Sequence, residues 1–265
     1  MKKTYYKFIF TLSLVSLLFS CKKVIELDLR KGVQQVVIEG EITNAAPPYI
    51  INLSRTGSFN DLSFVPIIED ALVIIKDNLG IIDTLKYLEK GKYETQKIIG
   101  FPGNTYTLIV SLHDTNYTAI STMPEFTSFD SLIIELSAGF GGSDFKSITP
   151  KFQDKESVRN FYQFRLYSND SLSIPNVLFD DALNDGKVNT RPFFGKLVKG
   201  ATATVEMRCY DLKAYTYQFG LNQIEQNGQN QSASPANPTN NITGGKVLGF
   251  FSANTYAFKE MLVTF

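Results

Sequence analysis

Thr105-Tyr106-Thr107-Leu108-Ile109-Val110-Ser111-Leu112, followed by His113-Asp114-Thr115-Asn116 and then Tyr117 to Ser121, is the stretch that decides the fold. Successive side chains of an extended strand point to opposite faces. Tyr106, Leu108, Val110 and Leu112 therefore share one apolar face, and Thr105, Thr107 and Ser111 line the other. The four residues after Leu112 favour a turn, and the returning run completes an antiparallel hairpin. The same pattern extends upstream. Val36 to Thr43 sets Val36, Ile38 and Ile42 against Val37, Glu39 and Glu41. After Pro47-Pro48, strand signals resume at Tyr49 to Ser54, Ala71 to Lys76 and Ile81 to Leu88, with turns at Asp77-Asn78-Leu79-Gly80, Glu89-Lys90-Gly91 and Pro102-Gly103-Asn104. Turn signals so closely and evenly spaced predict an immunoglobulin-like antiparallel β-sandwich over residues 33–125, ending near Met123-Pro124.

Downstream, Phe129 to Leu136, Phe161 to Tyr167, Gly195 to Val198, Ala201 to Tyr210, Gly244 to Ala253 and Tyr256 to Thr264 read as strands. They make residues 126–265 a second β-rich domain with one short helix. That helix starts after Asp211, a good N-cap, and its stripe of Leu212, Tyr215, Phe219 and Asn222 reads as core packing. Gly220 weakens it by about 1 kcal/mol relative to alanine. Gly139-Phe140-Gly141-Gly142 is a loop, with no lysine or helix after it to make a phosphate cradle. Asn227 to Asn241 carries no large apolar residue and reads as a mobile or recognition loop, the candidate contact element.

Composition excludes several functions. Among 265 residues, 26 lysines and arginines balance 26 aspartates and glutamates, which argues against electrostatic nucleic-acid binding, since that needs a basic surface to displace counterions. With 43% apolar and 20% charged residues the chain is globular in composition. Two cysteines exclude a disulfide scaffold and a multi-cysteine metal site. His113 is the single histidine, so a two-histidine zinc site is impossible, and no Gly-x-Ser-x-Gly elbow supplies a serine for a triad. No cofactor or metal is expected.

The first residues assign a location. Lys2, Lys3 and Lys7 precede the apolar run Phe8 to Phe19. Twelve residues at about 1.5 Å each reach roughly 18 Å, short of a hydrocarbon core of roughly 30 Å. The segment is a secretory signal rather than a span. It ends Leu18-Phe19-Ser20-Cys21, which resembles a bacterial lipobox. That implies cleavage of residues 1–20 and acylation of Cys21, with residues 21–32 as a tether. One acyl chain binds a bilayer marginally, whereas two or three anchor it stably. Cys209 is then the only free thiol. It shares a face with Ala203, Val205 and Met207, which reads as a buried small hydrophobe.

Two carboxylate groups invite chemistry. Glu39 and Glu41 point the same way about 7 Å apart, a spacing compatible with inverting glycoside hydrolysis and equally with a solvated strand face. Asp180-Asp181 with Asn184-Asp185-Gly186 reads as a turn, with irregular calcium binding as the alternative. The EF-hand pattern fails because Leu183 and Pro192 occupy ligand positions. The 21 phenylalanines and 13 tyrosines fill core, and the absence of tryptophan disfavours a glycan platform.

The landmarks fall in a recognisable order: Cys21; Val36-Val37-Ile38-Glu39-Gly40; Gly91-Lys92-Tyr93; Pro102-Gly103-Asn104-Thr105-Tyr106-Thr107-Leu108; Phe152 to Asp154; Asn160 to Tyr162; Asn241-Ile242, Gly244-Gly245 and Phe250-Phe251. In this the chain resembles an uncharacterised family of Bacteroidota lipoproteins known only as a domain of unknown function. The resemblance implies an outer-membrane lipoprotein, lipid-anchored through acylated Cys21 and commonly encoded beside a TonB-dependent receptor. Lys22-Lys23 stand where surface-displayed lipoproteins of that phylum carry acids, so the membrane face, periplasmic or extracellular, stays open. Asp130-Ser131-Leu132 and Asp170-Ser171-Leu172, with Asp83-Thr84-Leu85, resemble that phylum's O-glycosylation tripeptides, making Ser131 and Ser171 candidate modification sites. The expected function is a non-enzymatic accessory or binding protein partnering an uptake receptor. A carboxylate-dependent surface glycan hydrolase and a structural envelope lipoprotein are the alternatives.

Overall fold

The computed structural model describes residues 34–57, 65–137, 144–228 and 237–265. The expected leader 1–20 and tether 21–32, the glycine-rich stretch 139–142 and most of the polar loop 227–241 lie outside the described residues.

Alternation builds the strands as expected from their side chains. In chain order they are β1 (Val36–Thr43), β2 (Ile50–Arg55), β3 (Leu72–Asp77), β4 (Ile82–Thr84), β5 (Lys86–Tyr87), β6 (Lys92–Glu94), β7 (Thr105–Leu112) and β8 (Thr115–Thr122). Then come β9 (Ser131–Leu136), β10 (Phe145–Lys151), β11 (Phe161–Ser168), β12 (Ser171–Asp180), β13 (Phe193–Lys196), β14 (Thr202–Tyr210), helix α1 (Leu212–Gly228), β15 (Ile242–Thr243) and β16 (Val247–Leu262). The protein is mainly β and sandwich-like, with one helix among the described residues. The β7–β8 hairpin pairs Thr105 with Thr122 through to Leu112 with Thr115, and Tyr106, Leu108, Val110 and Leu112 are all buried.

An eight-stranded sheet, ordered β12-β11-β14-β16-β1-β2-β6-β5, forms the backbone of the fold. A five-stranded sheet, β15-β8-β7-β3-β4, and a three-stranded sheet, β13-β10-β9, complete it. Among the described residues two hydrophobic clusters result. The first joins Ile38, Ile42, Ile51 and Leu53 to Val73, Ile75, Tyr106 and Leu108. The second joins Phe164, Leu166, Val205 and Met207 to Ile134, Ile148 and Phe193. The far end of the chain completes the first cluster, since Ile242, Val247, Phe251 and Ala253 belong to it.

The two C-terminal runs expected as separate strands are one strand, β16. Its first half pairs in parallel with β1, from Val36–Val247 to Thr43–Asn254. Its second half pairs antiparallel with β14. Gly249, at φ +93°, has its Cα against the Ile38 carbonyl, an approach that only a residue without Cβ tolerates. The run Ile81 to Leu88 is split into β4 and β5 as Leu85 turns inward, its N–H donating to Val73 O at 2.9 Å. β10 and β12 were not expected from the pattern, because Pro150 and Pro175 interrupt them. β12 tolerates its proline because it is the sheet's outer strand.

The helix corrects an expectation. Asp211 does cap it, Oδ1 accepting the Ala214 N–H at 2.8 Å. Its Oδ2 accepts the Ser121 hydroxyl at 2.5 Å, latching the helix start to β8. The stripe expected in the core is not the buried one, however. Ala214, Tyr217 and Gln218 are buried, Leu212 and Phe219 are exposed, and Tyr215 is half-buried. Stacking of Tyr217 on Phe250 at 4.8 Å sets that rotation.

Candidate functional site

The carboxylate loop is built from two connections. Asp154 follows β10, and Asp181 to Lys187 follows β12. Within the latter, Asn184 N–H donates to Asp181 O at 2.7 Å and Lys187 N–H to Asn184 O at 2.9 Å, and Gly186 adopts φ +68°. One carboxylate oxygen from each of Asp154, Asp181 and Asp185 lies within 4.8 Å of the others. Asp154 and Asp181 are buried, and Asp185 is exposed. The sequence marked Asp181 and Asp185 together but not Asp154, whose only signal was its place in the Phe152 to Asp154 motif. Asp180 sits outside the group, accepting Arg159 Nη2 at 3.2 Å.

Each carboxylate is already held. Asp154 accepts the Tyr162 hydroxyl at 2.6 Å and the Gly186 N–H at 3.0 Å. Asp181 Oδ2 accepts the Asn160 N–H at 2.6 Å, and its Oδ1 lies 3.2 Å from Arg159 Nε in an ion pair. Asp185 accepts the Ser157 N–H at 2.8 Å. Burial first, and then the neighbouring Asp154 charge, raise the Asp181 carboxyl above its ordinary value, against the opposing pull of the Asn160 N–H and Arg159. Burial and the bond to Asp154 raise the Tyr162 hydroxyl in the same way. A cavity of about 20 Å³ adjoins the group, lined by Asp154, Tyr162, Asp181, Asn184, Asn189 and Arg191, large enough for roughly one water. Calcium takes six to eight oxygens, of which three carboxylates would supply only part. The arrangement clasps the 181–187 loop against residues 153–160.

Glu39 and Glu41 do share a face of β1, but they are not a free pair. Glu39 is exposed. Glu41 is ion-paired with Arg208 of β14 and accepts the Tyr210 hydroxyl at 3.3 Å. Arg208 also lies 3.8 Å from Glu206, and the Tyr210 hydroxyl donates to Gln163 at 3.0 Å. Burial opposes the Arg208 charge, but Glu41, Tyr210 and Glu206 outweigh it and raise its already high pKa. The network ties β1, β14 and β11 across the face of the large sheet, and neither Arg208 nor Tyr210 was marked by the sequence.

His113 sits in the β7–β8 turn at φ +52°, solvated, 3.9 Å from exposed Asp70. Cys209 is buried as expected, with burial pushing its thiol up to about 12, far from thiolate chemistry at neutral pH. Ser131 and Ser171 begin β9 and β12 and are exposed. Asp83, by contrast, is buried and accepts the N–H groups of Gln96, Lys97 and Ile98 through one oxygen at 2.7–2.9 Å, a structural role. Cys21 with Leu18, Phe19 and Ser20 lies outside the described residues. At the described end of the polar loop, Asn241 is buried, exchanging bonds with Phe251 N and O at 3.1 and 2.6 Å. That end is structural rather than free.

A family model described as a domain of unknown function, DUF4249, matches residues 22–260. The chain belongs to the DUF4249 family. The match spans both clusters, the carboxylate clasp and the Glu41–Arg208 network, and starts one residue after Cys21. No curated protein matches the chain.

Proposed function

We propose that this DUF4249 chain is a lipid-anchored outer-membrane accessory protein that binds a partner rather than transforming a substrate, and that the partner is a TonB-dependent uptake receptor. The observation that carries the reading is the placement of the family domain. It begins at residue 22, directly behind the lipobox Leu18-Phe19-Ser20-Cys21, so cleavage and acylation at Cys21 leave it whole. The acyl chains confine the domain to two dimensions, and a short tether raises its effective concentration beside a receptor in the same membrane. Support for binding over hydrolysis comes from the carboxylates: Glu41 is occupied by Arg208, and Asp154, Asp181 and Asp185 are committed to the clasp. Cys21→Ala tests the anchor. The wild type is expected to sediment with outer membranes and carry added acyl mass, and the variant to lose both. Retention of the variant in the envelope would refute the anchor. Co-purification of the receptor with the lipidated protein tests the partner, and its absence from mild-detergent extracts would refute that half.

A further inference from the structure

Strand β16 changes partners midway, and the change leaves a gap. Residues 247–254 have β1 on one side, and residues 255–262 have β14 on the other. Side chains fill part of each vacated side. Beside the first half, Asn241 bonds Phe251 N and O, and the Ser121 hydroxyl accepts the Ala253 N–H at 2.8 Å. Beside the second half, where β1 has ended at Thr43, Asn44 imitates one more strand residue. Its Oδ1 accepts the Tyr256 N–H at 2.5 Å and its Nδ2 donates to Tyr256 O at 3.2 Å. Alternation directs the N–H and C=O of Phe258, Glu260 and Leu262 to the same side as those of Tyr256. Among the described residues none of these three has a backbone partner there. Phe258 is 52% exposed and Leu262 58% exposed, on either side of exposed Glu260.

We propose that this open edge, Phe258 to Leu262, is a strand-addition site that takes an extended segment of another polypeptide, laid in line with the end of β1. An unpaired edge supplies main-chain affinity, and its alternate side chains supply selection. Cross-strand neighbours select by charge and apolarity. The facing side of the segment therefore reads apolar, basic, apolar, opposite Phe258, Glu260 and Leu262. A second copy of this chain fits worse. Antiparallel self-pairing centred on this edge sets Lys259 against Lys259 or Glu260 against Glu260, and like charges directly opposite are destabilising. This deepens the reading of the chain as a binding protein and is independent of its anchor.

The probe is a capped, fluorescently labelled heptapeptide alternating threonine with valine, lysine and valine, titrated by anisotropy against the chain from residue 22. Saturable binding is expected. N-methylation of alternate peptide amides is expected to abolish it. Glu260→Lys, an exposed substitution whose intact fold is checked by an unchanged urea midpoint, is expected to weaken binding about tenfold. A peptide with glutamate in place of lysine restores it. No saturable binding, equal binding of the N-methylated peptide, or indifference to Glu260→Lys would each overturn the proposal. So would a concentration-dependent dimer that the peptide competes away, which would give the edge to a second copy. Peptide capture in solution and sedimentation with membranes are separate readouts, so either reading can fail alone.

Discussion

Replacing Arg208 with methionine retains most of the side-chain volume and deletes the cation shared by Glu41 and Glu206. The Arg208 side chain is 13% exposed, Glu206 15% and Glu41 25%. Breaking a buried ion pair by removing one partner costs about 3–5 kcal/mol, because the remaining charge stays desolvated. Partial access of water to Glu41 places this site at the lower end, about 3 kcal/mol. For a chain of this size that corresponds to roughly 6–12 °C in Tm. The assay is urea denaturation at pH 7, followed by far-ultraviolet circular dichroism and by tyrosine emission, which no tryptophan obscures. Glu41→Gln alone is expected to cost less, since it leaves Arg208 with Glu206. The double variant is expected to fall short of the sum of the singles by at least about 1 kcal/mol, the signature of a direct pair. A loss below about 1 kcal/mol for Arg208→Met, or strict additivity in the double variant, would refute the assignment of this network as the tie between β1 and β14.

Two further outcomes test other parts of the fold. Gly249→Ala places a Cβ against the Ile38 carbonyl oxygen at φ +93° and is expected to destabilise by at least about 2 kcal/mol. An unchanged urea midpoint would mean that β1 and β16 are not paired in this register. Asp181 has a folded pKa raised chiefly by burial, so the native state binds its proton more readily than the unfolded chain does. By linkage, stability then falls as pH rises from the unfolded value, about 3.9, through the raised folded value, and is lowest above it. Asp181→Asn keeps an acceptor for the Asn160 N–H and is expected to flatten that slope between pH 4 and 7, which urea midpoints across the range measure directly.

Local pattern carried the hairpins into the structure, and long-range pairing decided what the pattern could not. β7 was legible because period-two apolarity and flanking turn residues agree over eight residues. β16 was not, because Asn254 and Thr255 look like a break in the pattern. Both are buried where the strand passes from β1 to β14, an event set in part by the end of β1, some two hundred positions away. The helix shows the complementary failure. Leu212, Tyr215 and Phe219 form the more obvious apolar arc, but the latch from Asp211 to Ser121 and the stack of Tyr217 on Phe250 fix a different rotation. A helix with a weakly sided sequence takes its buried face from what it docks against.

The site residues divide along the same line. Asp181 and Asp185 are close in sequence and were legible as one group. Asp154 and Arg159 join them only because β11 and β12 run side by side, Phe161 opposite Asp180. Glu41 and Arg208 are 167 residues apart, so a strand with two alternate acids looked solvated or catalytic until the sheet order placed a guanidinium beside one of them. Both carboxylate groups thus change meaning for one reason: the cation that answers each comes from another part of the chain, Arg208 on β14 for Glu41 and Arg159 just ahead of β11 for Asp181. The open edge at Phe258 to Leu262 follows from the same topology. Because β1 stops at Thr43 while β16 continues against β14 alone, the sheet has a ragged step there, and that step leaves main-chain groups inside the sheet order for another polypeptide to pair with.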